Sequence, residues 1–168
     1  RISLAGRNFN EAIIRYLRKK HHLEIGPSTA EAVKCEIGSV FPREKVISCH
    51  VKGRSLVSGL PDEIILTSDE MVEALIDPTL QIAKAVEACL EFIPPEILSD
   101  IARSGITLVG GSARIFGLDK FIEKRVKLPT AVIENPEEAV INGAGKALGL
   151  LAKAENPRSF VGALSFKK

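Results

Sequence analysis

The sequence predicts an α/β fold with parallel strands in its C-terminal half. Two short apolar runs, Ile106-Thr107-Leu108-Val109 and Thr130-Ala131-Val132-Ile133, read as buried parallel strands. Each lies between segments of helical periodicity. Helix, strand, helix, strand, helix in that order implies parallel strands joined by helical crossovers. Start and stop signals punctuate the same segments, among them Thr67-Ser68-Asp69-Glu70, Pro94-Pro95, Gly105 and Asn135-Pro136.

The elements follow in order. Phe9, Ile13, Ile14 and Leu17 recur at helical spacing and mark a helix from Asn8 to about Leu23. Its basic end, Arg15 to His22, reads as a solvated C-terminus whose cations oppose the helix dipole. An anionic-partner patch is the alternative. Gly26-Pro27 breaks the chain. Ser28-Thr29-Ala30-Glu31 then has the form of a capping box for a second, shorter helix. Lys45 to Val51 and Glu63 to Thr67 alternate loosely and read as an antiparallel pair joined by the loop Lys52 to Pro61. Thr67-Ser68-Asp69-Glu70 is again a capping box, for a helix through Ile76. Asp77-Pro78 repeats the start signal. The next helix carries Ile82, Val86, Cys89, Leu90 and Ile93 on one face. Pro94-Pro95 starts a short helix, Glu96 to Arg103, that stops at Gly105. Leu118, Phe121, Ile122 and Val126 mark a helix between the two apolar strands. Asn135-Pro136-Glu137-Glu138 caps a final helix, rich in Ala and Gly, through about Lys153. The tail, Pro157 to Lys168, has no strong pattern.

Two strands are too few for a sheet buried on both faces, since an average sheet has about 5–6. Partner strands are expected from elsewhere. Arg1-Ile2-Ser3-Leu4 reads like the end of one, and with no initial Met the expectation is a piece of something longer.

Composition narrows the function. The chain has 168 residues, 45% hydrophobic and 26% charged, enough for a buried core and unlike a disordered tail, a collagen repeat or a disulfide miniprotein. A net charge of +2, 5% aromatics and no Trp exclude a general nucleic-acid binder with base-stacking platforms. Cys35, Cys49 and Cys89 are odd in number and far apart, with no CxxC, and are expected as free thiols in a reducing cytoplasm. No apolar run reaches the roughly 18 residues of a membrane span, and no secretory signal opens the chain.

Three features invite a chemical reading. Gly110-Gly111-Ser112-Ala113 directly follows a strand, where ligands of open α/β sheets bind and glycines admit a close approach. A plain strand-to-helix turn has the same appearance. Glu31 and Lys34, spaced i, i+3, can face one side of a helix and contact a ribose or base. Equally, Glu31 can close the cap with Ser28 and pair with Lys34. Gly143-Ala144-Gly145-Lys146 is not a phosphate loop, because Ala147 follows the Lys and the segment lies inside a helix. Close helix–sheet packing is the expected use of its small residues. His21, His22 and His50 show no obvious carboxylate or nucleophile partner in sequence, and no Asp has a D-x-G or D-x-D setting for magnesium. No catalytic or metal-ligating residue is assigned.

The order of these features resembles the C-terminal half of the MreB family, the bacterial actin homologues, from about Arg1 to Ala154. The resemblance is carried by Ala5-Gly6 through Asn10-Glu11-Ala12-Ile13-Ile14-Arg15-Tyr16, and by Ile25-Gly26 with Thr29 to Lys34 and Ile37-Gly38. It continues through Val51-Lys52-Gly53-Arg54 with Ser58-Gly59-Leu60-Pro61, and Pro94-Pro95-Glu96 with Asp100-Ile101 and Gly105-Ile106. Gly110-Gly111 with Gly117-Leu118-Asp119, and Asn135-Pro136 with Ala139-Val140 and Gly143 to Gly145, complete it.

The resemblance implies an actin-like (ribonuclease H-like) ATPase fold, of which this chain is the second large domain. Residues 8–65 would be its outer lobe. Residues 1–7 and 66–168 would be its inner lobe, with an incomplete sheet. Glu31, Ala32, Val33 and Lys34 would line the adenosine side of an ATP cleft, with Glu31 and Lys34 on ribose or adenine. Gly110, Gly111, Ser112, Ala113 and Arg114 would pass beside adenine and the α-phosphate. The family's phosphate loops, catalytic acids, magnesium ligands and membrane-binding segment all match positions before Arg1. The implied parent is an ATP-dependent filament in the bacterial cytoplasm, beneath the inner membrane, that directs cell shape and wall synthesis. Its implied partners are other copies, its own N-terminal half and cell-wall synthesis proteins. Four positions depart from the family pattern. Arg7 replaces an Asp, Val109 and Ser112 stand within an L-T-G-G-G-A motif, and Arg114 replaces an apolar residue. They motivate an alternative, a degenerate actin-like scaffold that no longer binds nucleotide. A sugar or acetate kinase of the same superfamily is a third reading, disfavoured by the small insertion between Asn8 and Ile65.

Overall fold

The computed structural model describes residues 6–153. The elements run α1 (Gly6–Lys20), β1 (Leu23–Glu24), α2 (Pro27–Ile37), β2 (Ser48–Ser55), β3 (Pro61–Thr67), α3 (Ser68–Glu91), α4 (Pro95–Ser104), β4 (Ile106–Leu108), a 3-10 turn (Gly111–Arg114), α5 (Leu118–Val126), β5 (Thr130–Val132) and α6 (Ala139–Lys153). One sheet is antiparallel, in the order β1-β2-β3, and the other is the parallel pair β4-β5. The fold class is α/β, as expected. The expected strand at Arg1 to Leu4 and the unpatterned tail lie outside the described residues.

Helix α1 buries Phe9, Ala12, Ile13 and Leu17, the stripe its periodicity marks. It ends at Lys20 rather than Leu23, because His22 takes a φ of +50° and turns the chain into β1. That two-residue strand, unforeseen in the sequence, pairs Leu23 with Ser55 and Glu24 with Arg54. Arg18, Lys19 and Lys20 occupy the last turn of α1, where cations oppose the dipole.

Helix α2 departs from expectation at its start. Its N-cap is Gly26, with no side-chain cap, and Pro27 occupies the first turn. Pro at that position already begins the helix, so Ser28 and Glu31 lie inside it and form no capping box. Glu31 is free for tertiary partners.

The hairpin β2–β3 is antiparallel from Ser48↔Thr67 to Arg54↔Pro61, longer than its sequence pattern suggests. It leads into the capping box at Thr67. Thr67 Oγ1 accepts from the Glu70 backbone N–H at 3.3 Å, and the Thr67 N–H donates to Glu70 Oε2 at 3.1 Å. His21 Nε2 meets Glu70 Oε1 at 2.7 Å, tying the end of α1 to the start of α3. Burial works against the Glu70 carboxylate, but the Thr67 backbone and His21 outweigh it and hold its pKa below the ordinary value.

Helix α3 runs unbroken for 24 residues with Pro78 inside it, so Asp77-Pro78 does not start a new helix. Pro78 lacks the N–H that would bond Ala74, a cost the surroundings must offset. Met71, Ala74, Leu75, Pro78, Thr79 and Ala83 are all buried. Thr79 Oγ1 donates to the Leu75 carbonyl at 2.6 Å. Packing of this stripe overrides the local start signal. The stripe expected further along is only partly covered: Ile82, Val86, Leu90 and Ile93 are half-buried and Cys89 is exposed. All three cysteines are unpaired.

Strands β4 and β5 are parallel, Ile106↔Thr130 to Leu108↔Val132. They are half-buried rather than buried throughout, for they form a two-stranded sheet among the described residues. Helix α4 ends at Gly105 as expected but buries no residue completely. Helix α6 begins at Ala139, after a turn at Asn135 rather than directly upon it. A Cβ on Gly143, Gly145 or Gly149 would meet nothing within 4 Å, so the expected close helix–sheet packing is not made among the described residues.

A single hydrophobic core joins these pieces. Phe9, Ile13 and Leu17 meet Val33 and Ile37 of α2, Val51 and Leu66 of the hairpin, Met71 and Leu75 of α3, and Leu118 and Ile122 of α5. Burying each such side chain stabilises by about 1.5–3 kcal/mol. A bridge between Ser39 and Phe116 then links the segment after α2 to the segment before α5. The Val40 N–H donates to Phe116 O at 3.0 Å and the Phe116 N–H donates to Gly38 O at 3.1 Å. Beside it, Gly117 has φ +77°, and a Cβ there would overlap Phe41 Cβ.

Three consequences are measurable by urea unfolding of the full-length protein. Gly117→Ala combines left-handed strain with overpacking and is expected to cost about 2–4 kcal/mol. Thr67→Ala is expected to cost about 1 kcal/mol at pH 7. The Glu70 pKa is lowered from 4.5 in the fold. Its contribution is therefore full above pH 4.5 and is lost as pH falls through the lowered value. Glu70→Gln should lose this part of the acid dependence.

Candidate functional site

One wall of the site is built from α1 and α2 around a buried cation. Lys34 Nζ, on a side chain only 7% exposed, donates to Glu31 Oε2 at 2.7 Å, Asn10 Oδ1 at 3.0 Å and Gly6 O at 3.4 Å. Its three N–H donors thus have three protein acceptors. A Cβ on Gly6 would stand 3.2 Å from Nζ, so a side chain there would crowd the approach of α1. Asn10 Nδ2 also donates to Glu31 Oε2, at 2.6 Å. Lys34 first, and Asn10 second, hold the Glu31 carboxyl below the ordinary carboxylate range. Both contacts fall on Oε2. Oε1 receives only the Cys35 thiol, at 3.7 Å, and the side chain is half exposed. The carboxylate is anchored on one oxygen and open on the other.

The opposite wall follows β4. Gly110, at φ +89°, donates its N–H to Pro136 O at 2.7 Å, and the chain enters the 3-10 turn. Ala113 is buried and fixes the turn to the core. Arg114 pairs with Glu137 through two contacts, Nη2 to Oε1 at 2.6 Å and Nε to Oε2 at 2.8 Å. Glu137 raises the Arg114 pKa and Arg114 lowers that of Glu137. The backbone bridge at Gly38, Val40 and Phe116 joins the two walls.

Between them lies a cleft of about 590 Å³. Of the residues singled out in the sequence, Glu31, Lys34, Gly111, Ser112 and Arg114 line it. The other four do not. Val33 and Ala113 are core, Ala32 is on the exposed side of α2, and Gly110 precedes the lining turn. Arg7 lines the cleft beside Gly6.

The sequence reading missed Asn10, Arg43 and Glu137. Asn10 is 21 residues from Glu31 and Glu137 is 23 from Arg114. No local pattern signals such pairings. The lining carries the cations Arg7, Lys34, Arg43 and Arg114 against the carboxylates Glu31 and Glu137. Lys34 and Arg114 are paired, while Arg7 and Arg43 have no carboxylate partner among the described residues. The cleft is therefore suited to an anionic ligand that also offers hydroxyl donors to Glu31. Among the described residues no three His, Cys, Asp or Glu side chains gather as a metal site. No described helix is long and apolar enough to cross a membrane.

Comparison with known proteins places the chain. The family model for MreB/Mbl protein matches residues 1–156. The chain is 41% identical over 150 residues to the cell shape-determining protein MreB of Escherichia coli, covering 89% of this chain and 43% of that protein. It is 37% identical over 152 residues to the cell shape-determining protein Mbl of Bacillus subtilis, covering 90% and 46%. Among solved structures it matches MreB5 of Spiroplasma citri bound to ADP, at 38% identity, TM-score 0.83, and 86% and 44% coverage. The same protein bound to AMPPNP matches at 36% identity, TM-score 0.86, and 90% and 46% coverage. A MamK double helical filament, at 20% identity and TM-score 0.68, with 81% and 42% coverage, shares the fold. The chain spans less than half the length of the curated relatives it matches. It belongs to the MreB/Mbl family and has the actin-like α/β fold of that family.

Proposed function

We propose that this chain supplies the adenosine side of the nucleotide cleft in an MreB-like filament protein. One observation carries the reading. The anchored Glu31 carboxylate faces the Gly111-Ser112 turn across a cleft of nucleoside size. Spiroplasma MreB proteins bound to ADP and AMPPNP share this part of the fold.

The residues divide the work. Glu31 Oε1 accepts from a ribose hydroxyl, a charge-assisted bond. Lys34 is a positioning residue, because its donors are already taken by Gly6, Asn10 and Glu31. Gly111 and Ser112 pass beside the α-phosphate, and Arg7 adds positive charge nearby. Residues 8–65 are the outer lobe, and 1–7 with 66–168 the inner lobe. The nucleotide is ATP, its magnesium-bound phosphates held by the remainder of an MreB-length protein. The whole protein forms ATP-dependent filaments in the bacterial cytoplasm, beneath the inner membrane, and directs cell shape and wall synthesis. The relatives' description as cell shape-determining proteins supports this. Self-association is supported by the hairpin tip, where Val57 is 82% and Leu60 65% exposed, as apolar interface residues often are in a free chain.

A second reading, a scaffold that binds no nucleotide, is favoured by Ser112. Its hydroxyl stands in the cleft wall, 3.7 Å from where a Gly6 Cβ would be.

Calorimetric titration of the full-length protein with ATP separates the two. Micromolar binding is expected, weakened about tenfold by Glu31→Gln through loss of a charged acceptor. No binding in the folded wild type would overturn the first reading and leave the scaffold. Val57→Asp with Leu60→Asp is expected to abolish sedimentable filaments while changing ATP affinity by less than about twofold, as distant sites are nearly additive.

A further inference from the structure

Between α3 and α5 runs an apolar groove of about 510 Å³ that shares no lining residue with the cleft of Glu31. On α3 it is lined by Val72, Ile76 and Leu80. They recur at i, i+4 and i+8 and so form one row about 12 Å long, just over two helical turns. All three are half-buried, whereas Met71, Ala74 and Leu75 beside them are buried in the core. Phe121 of α5 lines the other side, and Phe41 and Pro42 add apolar surface from the segment after α2.

The charge at this groove is cationic and comes from α5. Lys124 and Arg125 line it, and no carboxylate does. Lys124 is exposed and has no ion-pair partner among the described residues. Arg125 is engaged through Nε alone, which donates to Glu87 Oε1 at 2.7 Å. At about 100° per residue, Asp119 and Glu123 fall on the opposite face of α5 from Phe121. Glu123 accepts there from the Thr130 N–H at 3.2 Å. On α3, Glu73 is tied to Lys20 and Tyr16, and Asp69 and Asp77 lie outside the lining. An occupant therefore meets apolar surface along α3 and positive charge along α5.

We propose that this groove docks an acidic amphipathic helix of a partner protein, independently of the nucleotide reading above. Such a helix lays an apolar stripe into a groove through anchors at i, i+3 or i+4, and i+7. The row on α3 matches two turns of that stripe, as one helix ridge packs beside another. Glu or Asp side chains on the flank that meets α5 pair with Lys124 and with the terminal nitrogens of Arg125. The opposite flank faces no cation of the lining, so the charge fixes the direction in which the helix lies. An acyl chain is a poorer occupant. Small ligands are enclosed over about 70–90% of their surface, whereas this groove is open to solvent.

The probes are three fluorescein-labelled helical peptides that share one Leu stripe and carry a flank of Glu, Gln or Lys. Fluorescence anisotropy reads their binding to the full-length protein, for wild type, Lys124→Glu and Leu80→Gln. Far-UV circular dichroism and a thermal melt establish that each variant is folded. Lys124 is exposed, so its variant leaves the core untouched. Wild type is expected to bind the Glu peptide at least about tenfold tighter than the Lys peptide, a gap that narrows in about 0.5 M salt. Lys124→Glu should weaken the Glu peptide about tenfold and spare the Gln peptide. Leu80→Gln should weaken all three by a similar factor, about fivefold. No binding, equal affinity for the Glu and Lys peptides, or indifference to both variants would overturn the proposal. Binding of phosphatidylglycerol vesicles without a Glu-peptide preference would assign the groove to a membrane instead. Loss of self-assembly in Lys124→Glu without that preference would assign it to a second copy of the chain.

Discussion

A buried ammonium must be given an acceptor for each of its protons, and much of the site follows from that requirement at Lys34. Removing a partner from a buried charge typically costs about 3–5 kcal/mol. Here the acceptors come from three places: the first residue of α1, a side chain one turn later, and the preceding turn of α2. The angle between the two helices is thereby constrained. So is the Glu31 carboxylate, which gives one oxygen to Lys34 and Asn10 and leaves the other open. A Cβ at Gly6 would stand 3.2 Å from the ammonium, which would have to yield by a few tenths of an ångström. A charge that contributes little net stability still specifies how a ligand-facing carboxylate is held.

The second wall is held by backbone rather than by charge. The bridge at Gly38, Val40 and Phe116 joins the end of α2 to the segment after the glycine turn, and the Gly117–Phe41 contact closes it. Helix α3 carries both walls, since α1 and α5 pack on it. Away from this unit the molecule is more open. Phe92 is 88% exposed, α4 buries no residue completely, and α6 carries Val140 and Ile141 outward. The cleft thus stands on the best-packed part of the chain, a suitable support for a preorganised binding group.

Local signals were legible where one element decides its own form. The Thr67 capping box and the stop at Gly105 stand as read, and the antiparallel hairpin and the parallel pair are present with shifted ends and, for the pair, less burial than expected. Reading failed where tertiary packing outvoted a local signal. Pro78 did not begin a helix, because its buried neighbours continue through it. Ser28 did not cap, because Pro27 began α2 first. The same limit governs the site. Glu31 and Lys34 share a helix and could be paired from their spacing, whereas Asn10 and Glu137 enter only through contacts more than 20 residues away in sequence. Arg43 carried no motif at all. It is held by the Phe116 ring it stacks upon, a contact no local pattern signals.

The central claim is that Glu31, held by Lys34, receives the ribose of a bound nucleotide. The most direct measurement is a double-mutant cycle on the full-length protein, titrating ADP and its 2′,3′-dideoxy analogue into wild type and Glu31→Gln. Removing the diol should weaken wild-type binding about tenfold and leave the variant almost unaffected, since its partner is already compromised. Equal losses in both proteins would mean that Glu31 does not meet the ribose, and would contradict the account.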